Sequence, residues 1–167
     1  MRLVRAAAVL LLVLTVQSAL VAELGLFGAH GDIVLLVPIA AALTSGPDRG
    51  ATAGFVAGLC VDLLVQTPFG LTALAYCLAG YAVGAFQAGV LRASWWLPVV
   101  SAFGGSALGV FAFALIGAVL GLEDVLTGDL VRIILAVAVL NSILVLPALR
   151  MARWVEGPVP RARLVTR

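Results

Sequence analysis

The chain has 167 residues, of which 63% are apolar and 11% charged, with a formal net charge of +2 and a mean hydropathy of +1.21. Soluble domains are about 45–50% apolar and about 25% charged, so a water-soluble globule is excluded and lipid is the solvent for most of the surface. Cys60 and Cys77 both lie in apolar runs without CxxC or Cys/His spacing, which argues against a disulfide framework, a metal site or a cofactor and for small packing residues.

In chain order, the first apolar run covers about 3–22, with Arg2 and Arg5 at its start and Glu23 at its end. A cleaved signal peptide would need small residues at the cleavage site; Gln17 stands two before Ala19 and Leu20 two before Ala22, so this run is expected to remain as a span. A second run, about 31–45, is led by Asp32 and closed by TSGPDRG; it is shorter than the ~20 residues of an upright spanning helix. The third, about 50–66, ends at QTPFG, where Pro68 and Gly70 mark a tight turn. The fourth covers about 71–91. Trp95 and Trp96 then stand like an interfacial aromatic belt before a fifth run, about 95–122, and a sixth covers about 130–152. These runs predict an all-α integral membrane protein, with a six-helix transmembrane domain over residues 1–155 and a basic cytoplasmic tail over 156–167.

Arginine sets the expected orientation, because short arginine-rich loops are retained in the cytoplasm. Under the six-span threading, Arg2, Arg5, Arg49, Arg92, Arg150, Arg153, Arg161, Arg163 and Arg167 share one face. The other face holds Glu23, Asp32, Glu123, Asp124, Asp129 and, of the arginines, Arg132. Both termini are therefore expected in the cytoplasm of a bacterial inner membrane. Asp48 and Glu156 fall on the arginine side, but carboxylates weigh little in orientation.

Gly54, Gly58 and Asp62 recur every fourth residue and so share one face of the third helix. Rows of small residues let helices approach closely in lipid, and Gly80 with Gly84, Gly105 with Gly109 and Gly117 with Gly121 repeat the spacing. All are expected at helix contacts. An aspartate at bilayer depth costs roughly 2.5–3.5 kcal/mol on insertion scales. Asp62 is read in two ways: it accepts hydrogen bonds from the QTPFG turn, from Thr67 or the amides around Gly70, or it contacts a partner or ligand. No other ionisable residue is expected at depth, which argues against a proton relay. Asn141 is expected to hydrogen-bond between helices, and Tyr76 and Tyr81 to pack with a polar tip seeking a partner.

Catalytic chemistry finds no pattern. The single His30 has no Cys or Ser partner at a sensible position, no carboxylate pair lies within the spans, and the glycines follow no strand and precede no lysine. No enzymatic activity and no nucleic-acid partner are expected.

Two stretches, AELGLFGAHGDIVLLVPIAAAL and GPDRGATAGFVAGLCVDLLVQTPFGLTALAYCLAGY, resemble the rod shape-determining MreD family. The similarity lies in a short aspartate-led second span, a glycine-lined third span with G-F-x-x-G-L-x-x-D-L-L, and then P-x-G-x-x-A-L-x-Y. It is motif-specific from Glu23 to Tyr81, and the last two spans match only as apolar helices. The resemblance implies a six-helix bundle similar to the substrate-binding subunits of energy-coupling-factor transporters. It also implies a non-enzymatic role in the cell-elongation (rod) complex that controls cell shape and lateral peptidoglycan synthesis. The implied partners are MreC, MreB and the peptidoglycan synthases, directly or through the complex, and a homo-oligomer stays open. The positions carried over are Asp32, Gly54, Gly58, Asp62, Pro68, Gly70, Leu74 and Tyr76, without individual roles. A small-molecule-binding subunit of an energy-coupling-factor type importer is the alternative. It should gather several polar groups in one pocket, whereas Asp62, Gln66, Thr67, Thr72, Gln87 and Asn141 are scattered along the sequence.

Overall fold

The computed structural model describes residues 2–24, 32–65, 68–89, 96–122 and 128–157. His30, Gln66, Thr67, Arg92, Trp95, Glu123, Asp124 and the tail from 158 onward, together with the side chain of Glu23, lie outside the described residues. Among the described residues the chain is all-helical, with α1 (Arg2–Leu24), α2 (Leu36–Ser45), α3 (Pro47–Leu64), α4 (Leu71–Gly89), α5 (Leu97–Val119) and α6 (Leu130–Glu156). Helices α4, α5 and α6 are long and apolar enough to cross a membrane. The protein is a membrane protein.

Local chemistry explains most boundaries. Pro47 opens α3 in its first turn, where a missing N–H costs nothing, three residues earlier than the apolar run suggests. Gly46, at φ +92°, supplies the left-handed turn between α2 and α3. The second element departs most from expectation. A span over 31–45 contracts to the ten-residue α2, and Asp32 stands before the helix rather than in it. Pro38 accounts for this: lacking an N–H, it cannot bond the carbonyl of Val34, and its ring crowds that carbonyl. Val34 accepts instead from Val37 at 3.0 Å and Ile33 from Leu36 at 3.0 Å, a tight turn that leads into α2.

Gly121 also departs from its predicted role. It does not extend a packing row but sits at φ +83° just past α5. Its N–H donates to the carbonyl of Ala118 at 3.1 Å, and that of Leu122 donates to Gly117 at 3.0 Å, the paired bonds of a glycine-terminated helix end. Helix α6 in turn runs on to Glu156, past the expected end near 152.

The short α2 occupies the centre and touches α3, α4, α5 and α6. Val34, Leu35 and Ile39 are fully buried there, joined by Tyr76, Ala79, Val83, Ala102 and Val145 from the surrounding helices. Helix α1 packs chiefly on α6 and leaves Leu3, Val4, Leu11 and Leu12 exposed, as suits a surface bathed in acyl chains.

Candidate functional site

The residues that carried the most sequence signal meet in the α2–α3–α4 unit. Helices α3 and α4 run antiparallel with almost no side chains between them. A Cβ built on Gly50 would stand 2.6 Å from the carbonyl oxygen of Gly80, one on Gly54 2.6 Å from the carbonyl carbon of Tyr76, and one on Gly58 2.6 Å from the amide nitrogen of Ala73. A Cβ on Gly84 would stand 2.6 Å from the nitrogen of Pro47. Backbone rather than flexible side chain opposes each glycine, so these positions exclude any larger residue. Gly54, Gly58, Gly80 and Gly84 thus belong to one seam, which Gly50, absent from the predicted row, extends by another turn. Its position four residues before Gly54 was the available signal.

Asp62 closes that seam at the C-terminal end of α3. Helix α4 starts at Leu71 after Pro68 and Gly70, neither of which has a side chain able to cap it, and Gly70 adopts φ +95°. The first N–H groups of a helix have no partner within it. The Asp62 carboxylate supplies one from the neighbouring helix: its oxygens accept from the amides of Gly70 at 3.0 Å, Thr72 at 3.1 Å and Ala73 at 3.2 Å. Leu71 donates to the carbonyl of Pro68 at 3.1 Å. Asp62 is 5% exposed, and a carboxylate at a helix N-terminus also meets the favourable end of the helix dipole. Of the two readings of Asp62, the turn contact through Gly70 is present; Thr67 lies outside the described residues.

A second polar centre lies in the middle of the bundle, where no other ionisable group was expected. The Tyr76 hydroxyl lies 2.5 Å from both carboxylate oxygens of Asp32 and donates to that group. The backbone carbonyl of Asp32 accepts from the Asn141 amide at 3.0 Å, and the same amide nitrogen donates to Ser106 Oγ at 2.9 Å. The amide of Ile33 donates to Gln17 Oε1 at 2.9 Å. The irregular entry to α2 is thereby tied directly to α1, α4 and α6, and through Asn141 to α5. This corrects the expectation that Asp62 is the sole ionisable group at depth: Asp32 is partly buried against a tyrosine that is 3% exposed. Asp32 and Tyr76 were each singled out in the sequence, but their pairing across 44 positions has no local signature. Asn141 and Ser106 are fully buried, and Asn141 Oδ1 has no hydrogen-bond partner among the described residues.

No family model matches this chain, and neither a curated protein nor a solved structure matches it.

Gln87, expected to be scattered, is consumed internally: it donates to the carbonyl of Leu43 at 3.2 Å, joining α4 to α2. Thr72 is 5% exposed and meets Asp62 through its backbone amide. Tyr81 is about half exposed, so its ring faces outward, and Leu74 likewise lies on the outer side of α4. Among the described residues no cluster of His, Cys, Asp or Glu has metal-binding geometry. Chemically, the arrangement is suited to holding three helices and a turn in one fixed relation.

Proposed function

We propose that the chain is an MreD-like, non-enzymatic component of the bacterial cell-elongation complex, which binds MreC and through it acts with MreB and the lateral peptidoglycan synthases. The observation that carries this reading is the use to which the motif residues are put. Of the eight positions on which the resemblance rests, Gly54, Gly58, Asp62, Gly70, Asp32 and Tyr76 form one continuous internal framework in which both carboxylates accept hydrogen bonds, while Pro68 marks the exposed turn before α4 and Leu74 faces outward. Residues spent on rigidity suit a scaffold that presents a fixed surface to other membrane proteins.

The same proposal includes six crossings with both termini in the cytoplasm of the inner membrane. The segregation of arginine supports it, and so does the depth of α2. The contact between Gln17 and Ile33 sets the entry to α2 level with a point seven residues before the end of α1, or about 10 Å along that helix. The ten helical residues of α2 add about 15 Å, so that entry and helix together cover about 25 Å of a hydrocarbon core of about 30 Å.

The test is replacement in a rod-shaped host depleted of its own MreD. The chain should restore cell width and retain MreC on co-purification; a folded chain that does neither overturns the proposal. The importer reading is favoured by one observation, the Oδ1 of Asn141 in the bundle interior, which has no hydrogen-bond partner among the described residues. Mass spectrometry of the purified protein separates the two, since an importer subunit should retain a stoichiometric small molecule.

A further inference from the structure

Helices α1 and α6 run antiparallel and meet at the end of the bundle that carries the N-terminus of α1 and the C-terminus of α6. There the Arg5 guanidinium lies 5.1 Å from the ring centroid of Trp154 and donates to the Trp154 carbonyl at 3.3 Å. The clasp borders an opening between the two helices. An open cavity of about 420 Å³ lies between them, lined by Ala8, Val9 and Leu12 on α1 and Arg150, Met151 and Trp154 on α6. Its lining surface is almost wholly apolar, and Arg150 is the one charged residue that contributes to it.

We infer that this groove binds an anionic phospholipid, one acyl chain lying between α1 and α6 and the phosphate meeting Arg150. The groove opens on the flank of a membrane protein beside the exposed Leu3, Val4 and Leu11, so hydrocarbon chains are what surrounds it. The sign of the headgroup follows from charge. Arg5, Arg150 and Arg153 gather at this end, with Glu156 the described carboxylate of that part of α6. Arg5 is engaged by Trp154, whereas Arg150 makes no ion pair among the described residues. Arg150 stands six residues before the end of α6, about 9 Å along the axis. From that depth its stem can lie along the apolar wall while the guanidinium reaches the headgroup layer. There its planar fork fits two phosphate oxygens. Ala8, a methyl group where α1 faces the cavity, leaves the room. This site does not depend on the functional proposal above.

The test is native mass spectrometry of the full chain in detergent, titrated with phosphatidylglycerol or with phosphatidylcholine of identical acyl chains. Phosphatidylglycerol should be retained preferentially, and Arg150→Gln should reduce its retention roughly tenfold, the loss expected for one charge-assisted pair. Ala8→Phe, which fills the groove and leaves the charge unchanged, should lower retention as well; Ala8→Leu is the smaller form if the first misfolds. Arg132→Gln, at the other end of α6, should have no effect. Equal retention of the two lipids overturns the inference, as does equal loss with Arg132→Gln, which would mean diffuse attraction. Full retention by both folded Ala8 variants would place the lipid elsewhere, and displacement by millimolar inorganic phosphate would mean a simple anion site.

Discussion

Replacing Asp62 by leucine tests the framework at its most dependent point. The side chain keeps a similar size but removes an acceptor from three amides, those of Gly70, Thr72 and Ala73. Gly70 is half-buried and can turn to water, whereas Thr72 is 5% exposed and Ala73 0%. Two buried donors are thus left unmade, at about 1–3 kcal/mol each, so a loss of about 2–6 kcal/mol is expected. Asp62→Asn keeps one carbonyl oxygen. Placed where it meets Gly70 and Ala73, that oxygen leaves the Thr72 amide facing another donor, so the expected loss is about 1–3 kcal/mol. Thermal melting of both variants in one detergent, read by retention of the monodisperse peak, ranks them against the parent chain, and co-purification of MreC with cell width ranks them in the host. A leucine variant as stable as the parent would refute the capping argument. An asparagine variant that stays folded yet fails in the host as completely as leucine would show that the charge itself is required.

Gly58→Leu should cost at least the ~1–3 kcal/mol of ordinary overpacking, because backbone atoms of Ala73 already fill the space. Leu59→Ala, at a half-buried position, should cost less, and equal melting temperatures would mean that the α3–α4 seam can open. Tyr76→Phe removes the hydroxyl donor from Asp32 and should destabilise by about 1.5–3 kcal/mol, the range for a hydrogen bond to a charged group; an unchanged melting temperature would count against that pairing as a structural tie. A reporter active only outside the cytoplasm, fused after Arg167, should be silent, and activity there would sink the proposed topology.

Much of the seam is legible in the sequence because helical periodicity is a local property. Gly54, Gly58 and Asp62 must share a face of α3 whatever surrounds it, and Pro47, Pro68 and Gly70 punctuate the chain through their own backbone chemistry. Composition likewise determined that lipid is the solvent, since apolar content adds residue by residue without regard to fold. Periodicity could not name the helix that meets the glycine face, nor show that Gly50 belongs to it. In lipid an apolar surface gains nothing in particular from facing inward, so shape and polar partners select the neighbour.

Tertiary structure alone decided the centre of the molecule. The apolar run at 31–45 reads as one unbroken helix until Pro38 and the turn at Val34 shorten it, and only then does Asp32 fall among Tyr76, Asn141 and Gln17. Those partners lie on three different helices, and their hydrogen bonds form once packing has excluded water and lipid. A buried polar group must find its partner in three dimensions, and the sequence around Asp32 holds the need without the answer.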